Sequence, residues 1–461
     1  MLASCRISST SRGGEVRGVA KGPEGAQLVL LETDPWNFAP LSLLRSVPEL
    51  RVGALTLLER AAGLGVECGA PIVVLTRRYL RDLLGERLGE GFAADADSIE
   101  TERVLILDPT YLVDGALRDL LRRLDSPGRA LVSDGRLVAA LVRRVALLDA
   151  LSDPGSDSGF TAKDLLRSLS DELEEKFDVG GLLRIGSVWD LIPVTEMLLP
   201  SELDRLVDGR ILGDVDEQVR VLGDRSRIHI GRGSVLEPFV TLDLRRGPIF
   251  IGESVRVMSH TRIEGPCFVG DGTVVFPGSN VASSYIGPVC RVGGEVESSV
   301  VLGYSNKRHY GYLGHSYVGE WVNLGAGTTV SNLKNTYGTV RVRLGGASVD
   351  TGRIFLGPVI GDHVKSAIGT LVFSGKSVGS FSHIYGFVTS DVPPFAVSAK
   401  PLVGELFELE LESALETARR MMSRRGLSPS QAYERAVRAA FELTAEERRS
   451  HGVRRERFRI P

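Results

Sequence analysis

The 461-residue chain has few cysteines: Cys5, Cys68, Cys267 and Cys290, none at metal-ligand spacing. That scarcity excludes a disulfide framework and a zinc ribbon, and it predicts reduced thiols in a cytoplasmic protein. Long apolar runs are also missing. No stretch reaches the roughly 18 residues of a membrane span, so no membrane partner is expected. Charge of one sign is not in excess: 55 Lys and Arg stand against 58 Asp and Glu. The net −3 gives no general argument for a nucleic-acid partner. The opening MLASCRISSTSRGGEVRGVAKGPEG has no apolar h-region, so residues 1–26 are expected to be a flexible leader, not a secretory signal.

What is present divides into three. The chain is too long for one ordinary core. Residues 27–209 alternate strand and helix patterns. QLVLLE, PIVVLT and RVLILD are buried-strand runs; GALTLLERAAGL, RRYLRDLLGERL and GALRDLLRRL are expected helices. RALVSDGRLVAALV reads as a hairpin turning at Asp134–Gly135. TAKDLLRSLSDELEEKF reads as one amphipathic helix started by Thr161. The alternation predicts an α/β, Rossmann-like domain with a mainly parallel sheet. Ligands of such sheets gather at the carboxyl ends of strands, which singles out Asp108 as a candidate metal or ribose ligand.

Residues 210–400 have another texture. Small aliphatic residues recur every six positions: Ile251, Val257, Ile263, Val269, Val275 and Val281, then Val318, Leu324 and Val330. A third run covers Ile354, Ile360, Ser366, Val372, Val378 and Ile384. Period six fits neither helix nor strand; it is the hexapeptide repeat of a parallel β-helix. Three hexads make one triangular coil of roughly 18 residues, giving about nine coils. Residues 401–461 are expected to be helical, broken between Gly426 and Pro429, and to cap the last coil against edge pairing.

The hexads lose register near Ser298 and regain it by Val318. The stretch between is expected to leave the coil as a loop. It holds YSNKRHYGYLGH, residues 304–315. A histidine there, His309, can exchange a proton near neutral pH. Lys307 and Arg308 can hold a phosphate, Tyr310 and Tyr312 can meet a sugar, and Gly311 and Gly314 allow unusual backbone angles. Composition alone leaves open whether this is an active site or a plain bulge.

The longer runs carry a resemblance. GPIFIG (247–252), IGPVCRVGGEVESS (286–299), GYSNKRHYGYLGHSYVGEWVNLGAG (303–327) and SNLKNTY (331–337) resemble the bifunctional N-acetylglucosamine-1-phosphate uridyltransferase/glucosamine-1-phosphate acetyltransferase family. The similarity is greatest to a divergent sugar nucleotidyltransferase-like branch, whose N-terminal signature resembles LSLLRSVPELRVGALTL (41–57). The resemblance implies a left-handed β-helix that carries acetyl transfer, in a homotrimer with acetyl-CoA between neighbouring prisms. It implies His309 as catalytic base, Tyr312 and Asn323 as substrate contacts, and Asn332 near acetyl-CoA. Lys334 and Asn335 are further candidate substrate contacts, and Lys400, just past the last coil, is a candidate for a coenzyme phosphate, the alternative being a plain surface lysine. The family's phosphate-binding Lys falls on Asn306, with Lys307 next to it. Its phosphate-binding Arg falls on Phe276, and the Tyr after its acetyl-CoA Asn is Leu333. These departures leave the histidine chemistry intact and change what surrounds the sugar phosphate.

The N-terminal third lacks the G-x-G-T-R loop and the Pro-Lys that open such nucleotidyltransferases. LLETDPWNFAPLSLLRSVPELR stands there, with Arg45 and Arg51 as candidate phosphate ligands for UTP or dTTP. Asp108 is the candidate Mg²⁺ ligand, and Asp190 a second carboxylate. The sequence therefore carries three functions in competition. One is acetyl transfer to an amino sugar phosphate. The second is sugar-1-phosphate nucleotidyl transfer, with the β-helix assembling a trimer. The third is a trimer with no catalysis. A zinc site is disfavoured: His309 and His315 are six apart, and His363 and His383 lack the spacing that would stack them.

Overall fold

The computed structural model describes residues 25–64, 70–151, 161–399, 403–456 and 458. Most of the expected leader, Cys5, Cys68 and Lys400 lie outside the described residues. The chain divides into two compact units. The first is drawn from residues up to Ser187; the second takes Val188 onward together with 39–43 and 52–54. Among the described residues, no helix is long and apolar enough to cross a membrane.

The first unit is a seven-stranded mixed sheet. Its strands are β1 (Gln27–Leu31), β2 (Ile72–Leu75), β3 (Phe92–Ala93), β4 (Arg103–Leu107), β5 (Arg129–Ser133), β6 (Arg136–Arg143) and β7 (Glu175–Asp178). Their order is β3-β2-β1-β4-β6-β5-β7, parallel from β3 to β4, with β6 reversed. The run QLVLL is apolar at nearly every position because both faces are covered. Leu28 and Leu30 enter one core with Leu105 and Leu107, while Val29 and Leu31 enter the other with Val104 and Ile106. The hairpin turns where expected, with Asp134 at φ 51° and Gly135 at φ 69°.

Two helix expectations need correction. GALTLLERAAGL becomes helical only over Leu57–Ala62 (α1). Leu55–Thr56 first pairs with Arg51–Val52, and the Thr56 side chain then accepts from the Glu59 amide to start the helix. Thr161 does cap a helix, but it ends at Ser168 (α2, Ala162–Ser168). The acidic continuation is drawn into the sheet as β7, paired with Arg129–Val132. A strand vacancy beside β5 outweighs local helix propensity there.

The second unit opens with helix α3 (Leu191–Leu206) and continues as a left-handed parallel β-helix. The rungs of one face begin at Asp214, Val235, Arg256, Val274, Arg291, Asn306, Asn323, Lys365, His383 and Val397. The coil is not of constant length: Val235 to Arg256 takes 21 residues and Arg291 to Asn306 only 15. The interior is a column of aliphatic side chains that includes nearly all of the period-six positions. Each such side chain contributes about 1.5–3 kcal/mol by leaving water.

Two expectations fail here, each for a reason of register. Residues 298–318 do not leave the coil; Asn306–Lys307 and Tyr312–Gly314 continue the ladders from Arg291–Val292 and Glu295–Glu297. The pattern looked broken because the coils shorten there. The true excursion lies later, between Asn323 and Lys365. It carries the hairpin Arg341–Leu344 with Ala347–Asp350. Ile354 belongs to that excursion and is 47% exposed, so its place in the period-six series is a coincidence of spacing.

The corners impose a left-handed backbone. Tyr304, Trp321, His363, Phe381 and Phe395 all have φ between 56° and 64°. Such φ costs a non-glycine residue about 1–2 kcal/mol. Because the corner recurs on every coil, these rings stack on one another, Tyr304 on Trp321 at 4.3 Å and His363 on Phe381 at 4.7 Å. The C-terminal helices α4 (Leu411–Ser423), α5 (Gln431–Leu443) and α6 (Ala445–Ser450) lie against this stack. Met422 packs on Tyr304 and Trp321, Tyr433 Oη is 2.6 Å from His363 Nε2, and Phe441 meets Phe395 edge-on. The helices thus cover a side of the prism. The end of the ladder is closed by Leu406–Glu408, antiparallel to Ala396–Ser398.

Candidate functional site

An open cleft of about 540 Å³ lies in the second unit, between the outward side chains of Arg291, Asn306, Asn323 and Lys365 and the end of α4. His309 lines it and is exposed. The histidine sits in the bend after the Asn306–Lys307 rung. Gly311 permits that bend, because its φ of 124° suits no other residue and an added Cβ would meet the Thr328 carbonyl at 2.1 Å. Arg425 Nη2 donates to Asn306 Oδ1 at 3.1 Å, and Asn306 Nδ2 donates to Asn323 Oδ1 at 3.2 Å. His309, Asn306 and Asn323 are therefore brought together.

Lys307 is not with them. It occupies the inward position of its rung, between Val292 and Leu324, and is 3% exposed. Its Nζ donates to the carbonyls of Gly293 and His309, each at 2.7 Å. Burial pushes its pKa down to about 8, opposed by Glu295. A phosphate-binding role for Lys307 is corrected to a structural one: it ties down the backbone that carries His309.

Tyr312 and Asn332 meet elsewhere, around His315. Asn332 Nδ2 lies 2.7 Å from Tyr312 Oη and 2.9 Å from His315 Nδ1. Tyr312 Oη donates to Glu297 at 3.2 Å, and burial beside that carboxylate raises the phenol's pKa. His315 stacks on Phe355 and has Glu196 at 3.8 Å. Lys334 donates to the Thr339 carbonyl and Asn335 is exposed; both lie in the excursion, not in the cleft.

Several cleft residues escaped sequence reasoning: Arg291, Lys365, Arg420, Arg424 and Arg425. The available signal was positional, since Arg291, Asn323 and Lys365 each stand one residue before an inward rung residue. Lys365 donates to the carbonyls of Trp321 and His363, and burial brings its pKa down to about 7.

In the first unit the nucleotide candidates are held by their own neighbours. Arg51 pairs with Glu59 at 3.5 Å. Arg45 is buried, and its carbonyl accepts from Arg77, whose guanidinium is locked on Glu32. Asp108 is 2% exposed and accepts from Thr33 Oγ1, Thr110 N and Thr110 Oγ1. Burial raises its pKa, against those hydrogen bonds. Asp190 lies in the second unit and faces Arg353 at 3.9 Å. No group of three or more His, Cys, Asp or Glu side chains among the described residues could hold a metal ion. These donors do not fit a resident Mg²⁺.

Residues 28–211 match the family model described as sugar nucleotidyl transferase. The chain is 30% identical over 214 residues to a bifunctional sugar-1-phosphate nucleotidylyltransferase/acetyltransferase of Sulfurisphaera tokodaii, covering 45% of each chain. It is 25% identical over 225 residues to the bifunctional protein GlmU of Azoarcus sp., covering 44% of this chain and 48% of that one. The GlmU of Rippkaea orientalis is 32% identical over 138 residues, 29% of each chain. The chain thus spans about half the length or less of these curated relatives.

Proposed function

We propose that the chain transfers an acetyl group from acetyl-CoA to the amine of an amino sugar phosphate resembling glucosamine-1-phosphate, with His309 as general base. The carrying observation is His309 itself: exposed in a cleft, on a backbone fixed by Lys307, beside Asn306 and Asn323. The amine nitrogen must lose a proton as it bonds to the acyl carbon. The imidazole of His309 accepts that proton while the carbon–sulfur bond breaks and the coenzyme leaves as thiolate, which then takes the proton from the imidazolium to become the thiol. The asparagine amides can hold sugar hydroxyls. Acetyl-CoA supplies the activated acyl group, and the cationic lining of the cleft suits its phosphates. The relatives named as bifunctional nucleotidylyltransferase/acetyltransferases support this reading. A cytoplasmic homotrimer of β-helical prisms is part of the proposal.

The test is thiol release from acetyl-CoA with glucosamine-1-phosphate, wild type against His309→Ala. Release that collapses in the variant supports the assignment; equal release in both rejects His309.

A second reading is nucleotidyl transfer by residues 28–211, favoured by the family match. It predicts pyrophosphate from UTP or dTTP and a sugar-1-phosphate, unaffected by His309→Ala.

A further inference from the structure

One wall of the His309 cleft is made by the end of α4 and the two residues after it, and it is basic. Arg291, Arg308, Arg420, Arg424 and Arg425 all reach the cleft, and no carboxylate is among the described residues lining it. Nearby arginines are satisfied: Arg419 pairs with Glu434 and Arg420 with Glu416. Arg420 also lines the cleft, but Arg291, Arg308 and Arg425 meet neutral groups. Arg291 donates to the carbonyls of Gly272 and Cys290. Arg308 lies over the face of Phe276 at 4.5 Å. Arg425 donates to Asn306, and its Nε is buried with no hydrogen-bond partner. Burial lowers the pKa of Arg291, and the charges of Arg425 and Arg308 lower it further.

Gathering like charges without a counterion is unfavourable. The helix is held in place despite this by Met422, packed on Tyr304 and Trp321. Apolar docking therefore supports an electrostatic cost that a bound anion would remove. Arg guanidinium forks match phosphate oxygens, and an aromatic face beneath one of them fixes its plane.

We infer that the C-terminal helix completes a phosphate site in its own chain, in which Arg425, Arg308 and Arg291 hold a phosphate monoester or diphosphate beside His309. The identity of the ligand rests on the acyl-transfer reading, while the site's charge does not. Two sources share the chemistry: the phosphate of the acceptor sugar and the diphosphate of the coenzyme. The Arg425–Asn306 hydrogen bond links the phosphate site to the amides next to His309, so occupation of one orders the other.

The experiment is calorimetric titration of the full chain with inorganic pyrophosphate, at low and high salt. Wild type is compared with Arg425→Ala, Arg308→Ala and the charge-retaining Arg425→Lys. Saturable binding that weakens with salt and falls at least tenfold in both alanine variants is expected, with Arg425→Lys intermediate. Melting temperatures without ligand show whether each variant is folded. Undiminished binding in folded Arg425→Ala and Arg308→Ala overturns the inference, as does absence of binding to wild type at low salt. Glucosamine-1-phosphate and coenzyme A, titrated into the same variants, separate the sources: the ligand that loses affinity is the one whose phosphate sits there. The two readings fail separately. Arginine-dependent pyrophosphate binding without thiol release leaves the site and removes the acyl-transfer reading. Thiol release with unchanged binding in both alanine variants does the reverse.

Discussion

The stretch Tyr304–His315 feeds two places that are built on opposite plans. On one side, His309 stands exposed in a cleft where Arg291, Arg308 and Arg425 meet neutral groups and Arg425 Nε is left without a partner. On the other, His315, Asn332, Tyr312 and Glu297 form a chain of hydrogen bonds, roofed by Phe355. Both hold a histidine and an asparagine. Polar groups that bond one another stabilise a fold, whereas donors left unspent are ready for a ligand. Six residues of chain are enough to pass from one plan to the other, because successive strands of a coil face different sides of the prism.

The largest expected effect sets the two histidines against each other. His309→Ala should lower acetyl transfer by about 10²–10⁴ with little change in melting temperature. His315→Ala should leave the rate within a few-fold and cost about 1–2 kcal/mol in urea denaturation, because the Asn332 amide loses a partner. A rate collapse in His315→Ala with normal His309→Ala would invert the comparison.

Lys307 lies between the two plans and sharpens it. Lys307→Met should cost about 1–3 kcal/mol at pH 7, since the Gly293 and His309 carbonyls lose their donor. It should also slow catalysis through the loosened His309 backbone. The folded-state pKa is about 8, against roughly 10.4 for a free lysine. The unfolded chain therefore binds the extra proton between these values. The stability cost of burying the ammonium is fully present below pH 8 and is relieved as pH rises toward 10. Denaturation midpoints of wild type should carry this upward slope relative to Lys307→Met; parallel curves would place Lys307 in contact with water.

The smallest effect belongs to Tyr312→Phe. It deletes the hydroxyl shared by Asn332 and Glu297, and about 1 kcal/mol of stability should be lost with the rate nearly unchanged. A larger loss of rate than of stability would move Tyr312 from that hydrogen-bonded chain to the reacting groups.

The β-helix was legible because its inward positions are almost all small and aliphatic, and a repeat reports itself. Legibility failed where the repeat was kept in space but altered in sequence. The short coil from Arg291 to Asn306 made continuous structure look like a loop, and a lysine in an inward slot cannot be read from a pattern of valines. His309, Asn306 and Asn323 were readable from resemblance. Arg420, Arg424 and Arg425 were not, because they sit on or just after a helix whose pattern only says that Met422 faces inward. In the first unit the strand runs were clear. Residues 175–177 were misread as helix because only the vacant edge beside β5 makes them a strand.

The reversed strand Leu406–Glu408 has a consequence for the molecule's company. A parallel β-helix is a template that grows at its end like a crystal face, since each rung offers the next an identical row of amides and carbonyls. The last full rung, Ala396–Ser398, is met by a strand running the other way, and Phe407 is bridged in turn by Arg454. An incoming parallel rung finds the row out of phase and its place taken. The strand acts as a chain terminator: it stops the ladder from recruiting a second molecule at this end.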